Sequence, residues 1–326
     1  MVAMTSHPDS SAALFDLINR YRAAVEQVIV GKTDRVRLAI TVLLAGGHLL
    51  LEDVPGVGKT VLAKTLARAM SADVNRIQFT PDMLPSDVTG VAIYNQRTSE
   101  FEFQPGPVFA NIVIGDEINR ASPKTQSSLL ECMEERQVSV DGATHHLPDP
   151  FTVFATQNPS EMEGTYPLPE AQRDRFMARV SMGYPDRNSE LAMLEVRDRN
   201  DPLGGLEPVA SSAQIREAIR QVQDIFVAPS VKQYIVDLAR ATREHEAIRV
   251  GVSPRATLHL LRASKAAAVV AGRNYVVPDD VRGLLVPVFA HRLVIGSRAG
   301  RASNSFTEAA RVLGQIADQV PAPTGA

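Results

Sequence analysis

The chain has 326 residues, 44% hydrophobic and 22% charged, which is the make-up of a soluble globular protein long enough for two domains, each with its own core. A net charge of −3 excludes a bulk basic field for nucleic acid, and the single Cys132 excludes an internal disulfide and suits a reducing cytoplasm. The longest apolar stretch, Leu38 to Leu51, is broken by Gly46, Gly47 and His48 and is too short to span a bilayer, so no membrane insertion and a cytoplasmic location are expected.

Residues 1 to 10 are polar, as is the tail from Pro321, and both are expected to be mobile. Leu14, Leu17, Ile18, Tyr21 and Val25 form a helical stripe, followed by Val28-Ile29-Val30-Gly31. A second apolar helix from Asp34 to Leu44 leads into a strand. Residues 49 to 60 then read Leu-Leu-Leu-Glu-Asp-Val-Pro-Gly-Val-Gly-Lys-Thr, an apolar strand running into a phosphate-binding loop. The loop departs from G-x-x-x-x-G-K-[ST] at one place, where Asp53 replaces the first Gly. Gly56 and Gly58 let the backbone N–H groups turn inward on an anion, Lys59 can reach the β- and γ-phosphates, and Thr60 offers a hydroxyl to Mg²⁺. Leu62, Leu66 and Ala69 have helical spacing, which puts the phosphates at a helix N-terminus.

Strands and helices alternate to about Tyr184, the pattern of an α/β layer with a mostly parallel sheet. Two stretches interrupt it. Within 80–107, Val91 to Tyr94 and Glu100 to Gln104 read as short β segments, and Asp141-Gly142 between Gln137–Val140 and Ala143–Leu147 is a hairpin turn. His145 and His146 are adjacent on a strand, so they point to opposite faces and make a poor chelate. Cys132 lies in a helical pattern and is read as a packing residue.

Between the interruptions, Asn111 to Glu117 is an apolar strand closed by two acids. Asp116 is the candidate for holding Mg²⁺ through water and Glu117 for polarising the attacking water, the two tasks phosphoryl transfer requires. A loop with Gly204-Gly205 follows beyond Pro202, and the remainder reads as helical: Val231, Tyr234, Ile235 and Leu238 share a face, then come Ala256 to Ala271 and Asp279 to Arg292. Ser253-Pro254 is a helix start and Gly272 a stop.

These blocks, in this order, resemble the MoxR family of AAA+ ATPases from about Val28 to Val320. The resemblance rests on Gly46 to Thr60, Asp116-Glu-Ile-Asn-Arg-Ala121 with Lys124-Thr-Gln126, and Ala155-Thr-Gln-Asn-Pro159. It continues through Glu163 to Gln172, Asp174-Arg-Phe176, Gly251 to Ala256 and Val277-Pro-Asp-Asp-Val281. It implies an AAA+ P-loop core over 1–186, a parallel sheet flanked by helices, and an all-α lid over 187–326. Segment 80–107 would be the helix-2 insert and 137–147 the pre-sensor hairpin.

The family also implies residue roles. Asn158 resembles sensor 1, at the tip of a strand lying between the P-loop and Asp116 strands. Arg175 resembles the arginine finger that reaches the next subunit's γ-phosphate, with Arg173 as a rival, and Arg255 resembles sensor 2, through which nucleotide would pull the lid onto the core. Val30 and Gly31 fall where the family contacts adenine, while Pro55, Gly56, Val57, Gly58, Lys59, Thr60, Val61 and Asp116 surround the phosphates of ATP, with Thr60 and Asp116 on Mg²⁺. The resemblance implies a ring-forming ATPase, a hexamer by the family pattern, of chaperone-like action, which remodels or matures a client protein or complex with a von Willebrand factor A (VWA) domain protein as adaptor. A nucleic-acid machine (helicase or loader) and a nucleotide-dependent regulatory scaffold are the alternatives. The acidic charge balance stands against the first, and the intact Glu117, Asn158 and Arg175 set against the second.

Overall fold

The computed structural model describes residues 8–53, 56–157, 165–184, 187–188, 190–191, 202–296 and 306–323. Helix α1 (Pro8–Val28) and α2 (Thr33–Leu44) precede the sheet, so Pro8 to Ser10, expected to be mobile, belong to a helix. The sheet strands are β1 (Leu49–Glu52), β2 (Val74–Gln78), β5 (Ile112–Asp116), β8 (Thr152–Gln157) and β9 (Ala178–Val180). They pair in the order β2-β5-β8-β1-β9, all parallel.

The pleat sends alternate side chains to two cores. Leu49 and Leu51 of β1, Ile112 and Ile114 of β5 and Phe154 of β8 enter one, together with Leu62 and Leu66 of α3 (Lys59–Ala69). Leu50, Val113, Val153 and Ala155 enter the other, against Leu129 and Leu130 of α5 (Pro123–Glu135). A parallel sheet covered on both faces needs continuous apolar strands, which is why β1 and β5 are so uniformly hydrophobic. Gly115 leaves room in β5 for Phe79, whose ring would lie 3.1 Å from a Cβ there.

Both interruptions are antiparallel hairpins. The short α4 (Pro85–Thr89) leads into β3 (Gly90–Asn95) and β4 (Glu100–Pro105), and β6 (Gln137–Val140) pairs with β7 (Ala143–His146). Asp141 and Gly142 have φ of 48° and 80°, the pair of positive angles a tight two-residue hairpin requires.

The C-terminal part comprises α7 (Ser212–Gln223), α8 (Pro229–Glu244), α9 (Pro254–Val270), α10 (Pro278–Phe289) and α11 (Phe306–Gln319); the four-residue α6 (Glu170–Arg173) precedes β9. This lid is built of helices as expected, with one short antiparallel pairing of β10 (Ile248–Val250) and β11 (Val294–Ile295) beside them. One expectation is corrected: the lid has no core of its own, since Val231, Leu238, Leu260, Leu285 and Leu313 are continuous with the core that α1, α2 and one sheet face share. The expected boundary at residue 186 lies outside the described residues.

Candidate functional site

At the end of β1 the chain turns back into α3. Gly56 and Gly58 sit at φ of 83° and 91°; open space adjoins both, so it is the backbone angle that demands glycine. Gly58 is the N-cap, and the first α-helical bond runs from Leu62 N–H to its carbonyl. The N–H groups of Lys59, Thr60 and Val61 therefore have no partner inside the helix and are available to an anion. Val57 and Val61 are half-buried against the main core and anchor the loop. Pro55 and Asn158 lie outside the described residues.

Asp53, the departure from the loop pattern, has a structural use. Its buried carboxylate accepts from Ser181 Oγ at 3.1 Å, from Gly183 N–H at 3.0 Å and from Met182 N–H. It thereby ties the start of the loop to the segment after β9. Lys32 Nζ donates to the carbonyl of Tyr184 in that segment at 2.6 Å, so the turn holding Val30 and Gly31 is drawn to the same side.

Lys59 Nζ donates to the Asp53 carbonyl at 2.9 Å. Burial lowers its pKa, opposed by the carboxylates of Asp53, Asp116 and Glu117, so all four residues share one electrostatic site. The strand order explains this: β8 lies between β1 and β5, and the ends of the three strands stand side by side.

Asp116 and Glu117 are held by residues the sequence did not single out. Thr156 Oγ1 accepts from the Glu117 N–H at 2.9 Å and donates to Asp116 Oδ1 at 3.3 Å. Asp116 Oδ2 also accepts from Arg76 Nε at 2.6 Å, and Glu117 Oε2 accepts from Gln78 at 2.9 Å and Arg120 at 3.1 Å. Glu117 has φ of 57°, a left-handed angle that costs a non-glycine residue about 1–2 kcal/mol. Alternation places Arg76 and Gln78 on the same side of β2, the one local signal that could have found them.

Thr60 Oγ and the Asp116 carboxylate are hard oxygen donors beside a phosphate cradle, a set that suits Mg²⁺ arriving with phosphate oxygens. Among the described residues no cluster of three His, Cys, Asp or Glu could hold a metal alone.

The arginines lie elsewhere. Arg175 precedes β9, whose first residue pairs with Leu49 at the start of β1, so it stands at the end of the sheet away from the loop. Its Nε is 3.1 Å from Glu134 Oε2. Arg255, in the first turn of α9, pairs with Oε1 of the same carboxylate. The structure thus brings Arg255 to Arg175 and not to its own P-loop, contrary to the expected lid contact. Arg173 is half-buried, its pKa lowered by that burial and raised by Glu170 and Glu52. The segment between is gripped by the lid: Ser253 Oγ donates to both Asp174 oxygens at 3.0 and 2.9 Å, and Arg292 Nε to Oδ1 at 2.7 Å.

Comparison with known proteins agrees with this geometry. The model of the ATPase family associated with various cellular activities (AAA) matches residues 48–178, and that of the AAA lid domain matches 240–313. Chaperone MoxR1 of Mycobacterium tuberculosis is 42% identical over 87% of this chain and 77% of its own length. YeaC of Bacillus subtilis, itself uncharacterized, is 51% identical over 88% of this chain and 89% of its own. A crystal structure from Cytophaga hutchinsonii, provisionally described as an ATPase, is 37% identical and superposes with a TM-score of 0.88 over 98% of this chain and 99% of that one.

Proposed function

The chain belongs to the MoxR family of AAA+ ATPases, and on that footing we propose that it binds ATP with Mg²⁺ at the loop Gly56–Val61 and hydrolyses it to ADP and phosphate. The observation that carries this is the meeting of Lys59, Asp116 and Glu117 at three adjoining strand ends. Lys59 and the free N–H groups of α3 hold the β- and γ-phosphates. Thr60 and Asp116 would hold Mg²⁺, which neutralises charge between those phosphates when bound. Glu117, fixed by Thr156 and Gln78, takes a proton from the attacking water, and Asn158 orients that water.

Arg175 completes the site of a neighbouring copy, which makes a ring, a hexamer in this reading, the active form. Turnover drives the remodelling of a client protein, with a VWA-domain protein as adaptor. The family membership and the chaperone designation of a 42% identical relative support this part of the reading.

Mixing two inactive variants is the test. Lys59→Ala lacks a working P-loop, and Arg175→Ala lacks the finger. At mixed boundaries an intact loop meets an intact finger, so turnover should reappear. Co-assembly of the two without any restored turnover would refute a finger acting between subunits.

A further inference from the structure

Glu134 stands near the C-terminal end of α5 with both carboxylate oxygens engaged. Oε2 lies 3.1 Å from Arg175 Nε, and Oε1 accepts from Arg255 Nη2. Two residues from remote parts of the chain are therefore set side by side by one anion. The base for this is firm, because Gln126 of α5 donates to the carbonyls of Ile118, Ala121 and Tyr166 and fixes the helix to the loop after Glu117.

The pair opens on a cleft of about 430 Å³ that Arg136 and Arg262 also line. Its charged lining is four arginines against one carboxylate. The two histidines there add no charge near neutrality: burial and neighbouring arginines lower the pKa of His48 to about 3 and of His259 to about 2. A fixed, exposed excess of guanidinium calls for an anion. Glu134 uses one nitrogen of each guanidinium and leaves the remaining N–H donors of both for a second oxyanion, of which phosphate is the natural fit.

That anion does not come from the same chain. The cleft includes Gly46, Gly47 and His48, before β1, whereas the P-loop follows β1, and the four strand residues between them span about 13 Å at ~3.3 Å each. The partner chemistry is therefore a phosphate-bearing site on a second copy, whose strand-end face exposes what this edge lacks.

We propose that Glu134 is a positioning residue that holds Arg175 and Arg255 as one two-guanidinium unit directed at the nucleotide phosphates of a neighbouring copy. This rests on the reading that Arg175 acts across a subunit boundary. It names the residue that anchors both arginines at that boundary. Holding two long side chains in place spares the ordering cost each would meet on binding phosphate, and misplacement of reacting groups by about 1 Å can cost a hundredfold in rate.

The mixed assembly locates the effect. Lys59→Ala subunits donate arginines and Arg175→Ala subunits donate P-loops. Glu134→Gln placed in the arginine donor should lower the restored turnover by about tenfold to a hundredfold. Placed in the P-loop donor it should change nothing, because that subunit already lacks Arg175 and its arginine edge completes no site. Arg255→Ala should follow the same pattern. Equal loss from both placements would mean that Glu134 acts through the fold of its own subunit, and no loss from either would mean that it does not position the arginines. Both results overturn the proposal while leaving Arg175 in its role. If the parent mixture with Glu134 intact restores no turnover, the boundary reading fails and this inference fails with it.

Discussion

Arg292 grips Asp174: its Nε donates to Oδ1 at 2.7 Å, and the same guanidinium donates to the carbonyls of Asp174 at 3.1 Å, Phe176 at 2.5 Å and Met177 at 3.2 Å. The lid thus holds the backbone on both sides of Arg175. Burial lowers the pKa of Arg292 to about 10, so it remains charged near neutrality beside its partner. Removing one member of a buried pair strands the other, at about 3–5 kcal/mol. Arg292→Met should lose stability of that order in denaturant unfolding. A loss below about 1 kcal/mol, typical of exposed pairs, would show that this grip is not structural.

Lys59→Ala and Glu117→Gln should separate binding from chemistry. Lys59 meets phosphate charge in the ground state, so its loss should abolish binding of a fluorescent ATP analogue. Glu117 acts on the attacking water, so Glu117→Gln should retain affinity and lose at least about a hundredfold in turnover. Steady-state rates in Glu117→Gln equal to those of the parent protein would remove Glu117 from the mechanism.

Thr156 supplies the one hydroxyl that joins the two acids. Valine has nearly its shape but cannot pair with the Glu117 N–H, and a buried donor left without a partner costs about 1–3 kcal/mol. Thr156→Val should therefore lower the melting temperature modestly and reduce kcat more than nucleotide affinity. A reduced affinity with unchanged kcat would place the effect of Thr156 elsewhere.

Acid should destabilise the fold from an unusually high pH. His48 accepts from the Val153 N–H at Nδ1 and meets the Met133 carbonyl at Nε2, both at 3.0 Å, so it is folded as the neutral ring. Its pKa is lowered to about 3, that of His259 to about 2, and that of buried His291 well below the usual value. Above the unfolded value of about 6.5 neither state binds these protons and stability is flat. Below it the unfolded chain takes them up and the folded one does not, so stability falls as pH drops toward the folded values, by up to about 1.4 kcal/mol per histidine per pH unit. Unfolding free energies measured from pH 8 to 5 should bend downward near 6.5. A constant value across that range would contradict neutral burial of the three rings.

The nucleotide loop, the acidic strand and the Asp141-Gly142 hairpin were legible in the sequence because each is governed by local rules. Positive φ at Gly56 and Gly58, alternation along β5 and the cap at Ser253 act over a few residues and leave their mark there. The continuity of the lid with the main core was not legible, since any amphipathic helix states which face is buried but not what buries it. The company of Arg255 was decided in the same way. As sequence it is an arginine at a helix start, equally able to reach its own phosphates or another's. Only the packing of α9 against α2 and the other C-terminal helices puts it beside Arg175, on a carboxylate 121 residues away. Asp53 shows both sides: its departure from the loop pattern was visible, while its bonds to Ser181, Met182 and Gly183 exist because the parallel sheet brings β9 next to β1. Local periodicity and backbone angles are written residue by residue. Which long side chains share one anion depends on how whole elements pack, and that was settled only in the folded chain.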